Sequence, residues 1–182
     1  MKQAIFLVIA GLTALCAMPA LSAAPTAPRY SDDEGVFSVA FKATPTVKAD
    51  SLRGASGNSY KRKLYVVETP RSMTSVGVTF LSSDRPNTPE EQSALLATAV
   101  QDVTNGMPGF VLDPKNGVTN IQRGSHPGKL LRGAINSQLS VTIALFETPF
   151  HALMVQGLYP TSNSQAAKEV IDFVNSFDIV EN

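Results

Sequence analysis

The stretch from Gly128 to Phe177 constrains the fold most, because it holds three strand-like runs followed by a short helix. In the second run, Leu139 to Phe146, apolar residues alternate with small or polar ones, the period of two expected when one sheet face is buried. Thr148-Pro149 ends that run, since proline cannot donate to a strand ladder. The third run, Phe150 to Tyr159, has apolar residues at both parities. It therefore predicts a central strand covered on both faces.

Two helices are predicted from their start signals. Thr88, Pro89 and Glu91 combine a capping box with a proline in the first turn, and so predict a helix from Pro89 to Asn105 that ends at Gly106. Its inward residues are predicted to be Leu95, Leu96, Ala99 and Val103. Ser162 and Gln165 suggest a second capping box ahead of a helix from Asn163 to Ser176. The stripe that packs this second helix on the sheet is predicted to be Ala167, Val170, Ile171, Val174 and Phe177.

The other alternating runs predict further strands. Gly35 to Phe41 is expected to form a strand that pairs with Thr46 to Ala49. Asn116-Gly117 suits a tight hairpin turn between Phe110 to Leu112 and Val118 to Gln122. The predicted fold class is therefore α+β, an antiparallel sheet of about six or seven strands flanked by two main helices. A parallel sheet would need a crossover after each strand, and the chain offers too few.

The beginning of the chain has the pattern of an export signal. Lys2 is followed by an apolar segment and by small residues at Ala20 to Ala24, which predicts a cleaved signal peptide over residues 1–23. A flexible leader is expected over residues 24–34, and a single domain over residues 35–180. Cys16, the one cysteine of the chain, would leave with the signal, so the exported protein is expected to be disulfide-free.

Charge and composition limit the classes of partner. The chain has 15 basic and 15 acidic residues, which gives no general electrostatic attraction to nucleic acid or to anionic lipid. Because the chain is expected to be exported, we expect a periplasmic or extracellular protein whose partner is another exported or envelope protein. No stable membrane span is expected once the signal is cleaved.

Residues suited to catalysis or to metal binding are few. The chain has two histidines, His126 and His151, and their spacing is not that of metal ligands, so we expect no metal and no cofactor. Ser125 beside His126 invites a comparison with a hydrolase, but glycine and proline around them indicate a loop without a nucleophile turn. The acidic run from Asp32 to Glu34 allows a calcium site or a solvated turn, and the spacing favours the turn.

Two loops are the expected place for recognition. Asp50 to Ser59 and Asp113 to Pro127 are rich in glycine, asparagine and serine, and binding residues are often held on loops by a rigid scaffold. The candidate binding residues in these loops are Arg53, Lys115, Arg123 and His126. The alternative binding residues are Lys61, Arg62 and Lys63, which open a strand; charges there also serve to protect a sheet edge.

Four short segments carry a family resemblance. They are Gly35-Val36-Phe37-Ser38-Val39-Ala40-Phe41, Pro127-Gly128-Lys129, Phe150 to Tyr159, and Phe173-Val174-Asn175-Ser176-Phe177. In this order they resemble the landmarks of PsbP-like proteins, a group that includes the extrinsic subunit of the photosynthetic oxygen-evolving complex and small exported bacterial proteins. The resemblance implies an α/β/α sandwich and a role in binding or assembly. It supplies no catalytic residues.

Three functions remain open from the sequence. The first is a non-catalytic, exported binding or assembly factor that acts through protein or ligand contacts. The second is a periplasmic inhibitor or immunity-type protein that blocks a toxic enzyme. The third is a small hydrolase using Ser125, His126 or His151.

Overall fold

The structure is a computed structural model that describes residues 28–53, 59–81 and 85–180, without the side chains of residues 52 and 53. The predicted signal peptide lies outside these ranges. The helices are α1 (Pro89–Gly106) and α2 (Ser164–Ser176). The strands are β1 (Tyr30–Ser31), β2 (Phe37–Val39), β3 (Thr46–Arg53), β4 (Ser59–Glu68), β5 (Met73–Phe80), β6 (Phe110–Leu112), β7 (Val118–Arg123), β8 (His126–Ile135), β9 (Leu139–Glu147), β10 (His151–Pro160) and β11 (Asp178–Ile179).

The main sheet is antiparallel throughout and has eight strands in the described part of the chain. Its order is β3-β4-β5-β10-β9-β8, and both β6 and β7 pair with the outer edge of β8. The predicted antiparallel sheet with two helices is therefore confirmed. The expected count of six or seven strands is too low.

A second, three-stranded sheet corrects the predicted pairing at the start of the domain. β2 pairs with β1 and with β11, so Gly35 to Phe41 does not pair with Thr46 to Ala49 as predicted. β3 instead pairs with β4 along its whole length. Two segments expected to be irregular are thus in strands: Tyr30–Ser31 of the predicted leader, and Asp50 to Arg53 of the predicted loop.

The predicted hairpin at Asn116-Gly117 is wrong. β6 and β7 do not pair with each other; they lie one after the other along β8. Residues 113–117 form an excursion between them. The backbone N–H of Arg132 donates to the carbonyl oxygen of Gly117, and the carbonyl oxygen of Arg132 accepts from the N–H of Asp113. The side chain of Asp113 folds the excursion by accepting from the backbone N–H groups of Lys115 and Asn116.

The start of α1 is as predicted. Thr88 accepts from the N–H of Glu91, and the Glu91 carboxylate accepts in return from the N–H of Thr88. Leu96 is buried, but Leu95 is 38% exposed and does not face inward as predicted. The helix therefore presents a narrower apolar stripe to the sheet than the sequence suggests.

The start of α2 differs from the prediction by one residue. Asn163, rather than Ser162, caps the helix by accepting from the N–H of Ala166. The buried stripe is correspondingly shifted, and Ile171 is exposed although it was expected to be inward. The buried residues of this helix are Ala166, Val170, Phe173 and Val174.

The two helices cover opposite faces of the main sheet. In β9, Val141, Ile143 and Leu145 belong to the buried cluster that includes Leu96 of α1, whereas Ala144 and Phe146 belong to the cluster that includes Phe173 of α2. β9 is thus buried on both faces, although its alternation predicted one. The three-stranded sheet lies on the α2 side, where Phe37 contacts Tyr65 and Phe177.

One close approach fixes how α2 sits on the sheet. A Cβ atom at Gly157 in β10 would overlap the side chain of Val170 in α2. Glycine at this position therefore lets the helix backbone come nearer to the strand than any other residue would. Neither described helix is long and apolar enough to cross a membrane.

Candidate functional site

A cleft of about 540 Å³ lies at one end of the main sheet, where three turns meet the small sheet. We call it the histidine cleft, because both histidines of the chain line it. Its walls come from the segment before β2, from the end of β11, from the β7–β8 and β9–β10 turns, and from α1. The lining residues are Glu34, Gly35, Val36, Gln92, Ser125, His126, Thr148, Pro149, Phe150, His151, Ile179 and Val180.

Strand register brings the two histidines to the same end of the sheet. His126 is the first residue of β8, and it pairs with Arg123 across the two-residue turn Gly124-Ser125. Gly124 has a φ of 55°, a left-handed conformation that glycine adopts without strain. His151 is the first residue of β10, and its backbone N–H donates to the hydroxyl of Thr148. Both histidines therefore lie at strand ends, and His126 is not in the loop predicted for it.

The environment of His151 keeps its imidazole neutral. Burial lowers the pKa of His151, and the carboxylates of Glu34 and Asp32 act in the opposite direction more weakly. Its ring also meets Phe80 edge-on, with the ring centroids 5.3 Å apart. A neutral imidazole offers one hydrogen-bond donor and one acceptor, which suits recognition of a polar, uncharged group.

The acidic side of the histidine cleft is a folded turn. Asp32 is buried and accepts from the backbone N–H groups of Val36 and Phe37. Asp33 and Glu34 both form ion pairs with Lys63 of β4. This use of the carboxylates agrees with the predicted turn. Across residues 28–53, 59–81 and 85–180, no three histidine or acidic side chains are grouped in a way that could hold a metal ion.

Exposed apolar side chains form part of the wall of the histidine cleft. Phe150 is 50% exposed at the tip of the β9–β10 turn, and Val180 is also exposed. Val36 and Ile179 continue this apolar surface inward. The cleft thus combines apolar and polar lining residues, which is the usual composition of a small binding site.

A second cleft, of about 350 Å³, opens beside the first, and Gln92 of α1 lines both. We call it the glutamate cleft after Glu147, the last residue of β9. Its other polar residues are Ser93, Asn120, Gln122 and Lys129, and its apolar ones include Leu96 and Ile121.

Glu147 is an acidic residue in an unusually buried environment. It is 4% exposed, and its Oε2 atom has no hydrogen-bond partner within the described residues. Burial alone raises the pKa of Glu147 to about 8, so the carboxyl group is mostly protonated at neutral pH. Perturbed acids of this kind are concentrated at functional sites. The sequence interpretation missed Glu147, although it continues the inward parity of Val141, Ile143 and Leu145.

The four candidate binding residues do not form one site. His126 lines the histidine cleft, whereas Lys115 lies in the 113–117 excursion beside Arg132. Arg132 is about 20 Å from His126 along β8 at the usual rise per residue. Arg123 donates to the carbonyl oxygens of Val174 and Asn175, where α2 ends. Arg53 ends β3, and its side chain lies outside what the structure describes.

The alternative basic residues are on an inner strand. β4 lies between β3 and β5, so Lys61, Arg62 and Lys63 do not protect a sheet edge. Arg62 pairs with Asp50, and Lys63 pairs with Asp33 and Glu34. Lys61 is exposed. Two of the three charges are therefore already engaged in ion pairs within the fold.

Ser125 is exposed in the turn before His126, and it also lines the histidine cleft together with His151. Thus the three residues of the hydrolase hypothesis line one cleft, although they come from two separate segments of the chain.

A scan against protein-family models, a search of curated proteins and a search of solved structures each found no match to this chain.

Proposed function

We propose that the protein is an exported, non-catalytic binding factor that holds a partner segment or a small ligand in the histidine cleft. The observation that carries the proposal is the make-up of this cleft, in which exposed Phe150 and Val180 border polar His151 and Gln92. An exposed aromatic side chain at the edge of a concave site is a typical anchor for a partner.

The order of elements supports a PsbP-like character for this factor. A central antiparallel sheet with α1 on one face and α2 on the other has the layering that the resemblance implies. Three of the four landmark segments, around Gly35 to Phe41, Pro127 to Lys129 and Phe150 to Tyr159, contribute residues that border one of the two clefts. Export is proposed from the pattern of residues 1–23, and the N-terminal sequence of the protein recovered from the periplasm would test it.

Site-specific photocrosslinking tests the binding proposal. A photoreactive phenylalanine analogue would replace Phe150 in the full chain, produced in its native host. The matched control carries the same analogue at Val111, which is 69% exposed on β6 at the far end of the sheet. We expect a discrete adduct from position 150 and none from position 111. The same adducts from both positions, or none from position 150, would refute a site at the histidine cleft.

The adduct identifies the partner for a quantitative test. Phe150→Ala should weaken its affinity at least about tenfold, as expected for an aromatic anchor, and Val111→Ala should leave it unchanged. If the partner is an enzyme that loses its activity at a stoichiometric ratio, the inhibitor or immunity-type function replaces the assembly function.

The presence of Ser125, His126 and His151 in the lining of the histidine cleft favours one second candidate, a small hydrolase. A serine nucleophile would need one of the imidazoles as its general base. Turnover of an ester or peptide panel that is lost in Ser125→Ala and in His151→Gln would establish this function. Turnover that survives in both variants would eliminate it.

A further inference from the structure

The glutamate cleft has no part in the proposed function. Glu147 stands at its wall almost fully buried, and Oε2 has no partner among the described residues. A buried polar atom without a hydrogen bond costs free energy, so such an atom calls for an explanation. A ligand that donates to this atom would supply the missing bond.

The charges around Glu147 indicate what that ligand is. Lys129 on β8 is the other charged side chain among the described residues that line the cleft, and its Nζ donates to Asn120 at 2.6 Å. Burial is the one cause that raises the pKa of Glu147, and no cation among the described residues forms an ion pair with its carboxyl group. α1 contributes Gln92, Ser93 and Leu96 to the cleft, and β10 places Ala152 opposite Glu147.

We propose that the glutamate cleft binds an alkylammonium group, with Glu147 as its counterion. An ammonium group has N–H donors for Oε2, and the amide oxygens of Gln122 and Gln92 are suitable acceptors for its remaining N–H groups. Leu96 and Ile121 provide apolar surface for the alkyl chain. The ammonium group comes from a free amine or from a lysine side chain of a partner.

Binding of the ammonium group is coupled to loss of a proton from Glu147. The free carboxyl group is protonated below a pKa of about 8, and its ionised form pairs with the cation. The proton passes to the buffer, while the amine, with a pKa near 10, remains charged. The fraction of the protein in which Glu147 is ionised, and can therefore pair with the cation, falls about tenfold for each pH unit below 8. The dissociation constant should therefore be roughly 100-fold weaker at pH 6 than at pH 9.

Calorimetric and NMR titrations of the wild-type protein with n-butylammonium test this coupling. n-Butanol is the neutral control of the same shape, and we expect it to show no pH dependence. At pH 6.5, binding of n-butylammonium should release about one proton to the buffer. The measured binding enthalpy should therefore change linearly with the ionisation enthalpy of the buffer, with a slope that corresponds to about one proton. Equal, pH-independent binding of the amine and the alcohol would overturn the proposal.

Variants locate the site. Glu147→Gln should abolish pH-dependent binding, and Glu68→Gln, at an exposed glutamate of β4, should leave it intact. Lys129→Met should tighten n-butylammonium binding several-fold by removing a like charge from the cleft. This gain does not depend on whether Glu147→Gln folds. Unchanged affinity in Lys129→Met, or full binding in a folded Glu147→Gln protein, would contradict the site.

Two probes separate the sources of the ammonium group. A lysine blocked at both ends, N-acetyl-lysine-N-methylamide, presents the same ammonium on a peptide backbone. If it binds at least as tightly as n-butylammonium, the site accepts a lysine side chain of a partner. If n-butylammonium alone binds, the site is for free amines. Binding of neither probe at any pH between 6 and 9 would overturn the proposal.

Discussion

The ring of Phe177 stacks on the ring of Phe146, with the centroids 5.7 Å apart and the planes 19° apart. Phe177 also stacks on Phe37 of the small sheet, with the centroids again 5.7 Å apart. The side chain is fully buried directly after the end of α2. Phe177 thus joins the small sheet to the main sheet through two aromatic contacts.

We expect Phe177→Ala to lower the free energy of unfolding by about 3 to 5 kcal/mol, because it removes a buried aromatic ring and leaves a cavity between the two sheets. Urea denaturation measures this loss. Phe150→Ala is the control, since that ring is half exposed, and it should cost less than about 1 kcal/mol. Similar losses in the two variants would mean that the stacked rings contribute little to stability.

Glu147 should make the protein less stable as the pH rises. Its pKa is near 4.5 in the unfolded chain and about 8 in the folded protein, so the folded state holds one more proton between these values. Stability is therefore lost progressively from about pH 4.5 to pH 8. The loss is on the order of 4 kcal/mol if Glu147 alone is considered. Urea denaturation at several pH values should show this decline in the wild type, and Glu147→Gln should flatten it. A parallel decline in both proteins would assign it to other groups.

Arg123 should contribute to stability through α2. Its guanidinium group donates to the last carbonyl oxygens of the helix, where a positive charge is favourable. We expect Arg123→Ala to lower the free energy of unfolding by roughly 1 kcal/mol, and Arg123→Lys to lose less. The melting temperature gives the measurement. Lys115→Ala, an exposed change, should have no effect; an equal effect would argue against the helix contact.

Gly157→Ala should destabilise the contact between β10 and α2. The added Cβ would overlap Val170, so the helix must shift away from the strand at a cost of about 1 to 3 kcal/mol. Val170→Ala makes room, so the double variant should cost at least about 0.5 kcal/mol less than the sum of the two single changes. Additive losses would show that the clash is relieved elsewhere. Gly106→Ala, which meets no neighbour, should be harmless.

The parts of the fold that depend on neighbouring residues were predicted well. The Thr88 cap depends on residues three positions apart, and it is present in the structure. The alternation over residues 139–146 located strand β9, but it predicted burial of one face, and both faces are buried. The pairing of β6 and β7 with β8 depends on residues far apart in sequence. A local turn signal at Asn116-Gly117 therefore predicted the wrong partner strand.

The candidate site was predicted less well, because residue type does not show what a side chain touches. Arg123 was predicted to bind a partner, but its side chain contacts the end of a helix 51 residues later in the chain. Glu147 was not identified as a candidate residue from the sequence. Its position on the inward parity of β9 was the available signal, since a carboxyl group there must be buried.

The pairing of β11 with β2 joins Ile179 to Phe37, so the first strands of the domain cannot complete their sheet until the end of the domain is present. A contact between residues so far apart in sequence closes a large loop, which slows folding. Because synthesis proceeds from the N-terminus, the aromatic side chains of Phe37 and Tyr65 remain exposed until Phe177 has been made. Phe177 therefore closes the aromatic core late in the synthesis of this domain, and a pause before it is made leaves an aggregation-prone surface uncovered.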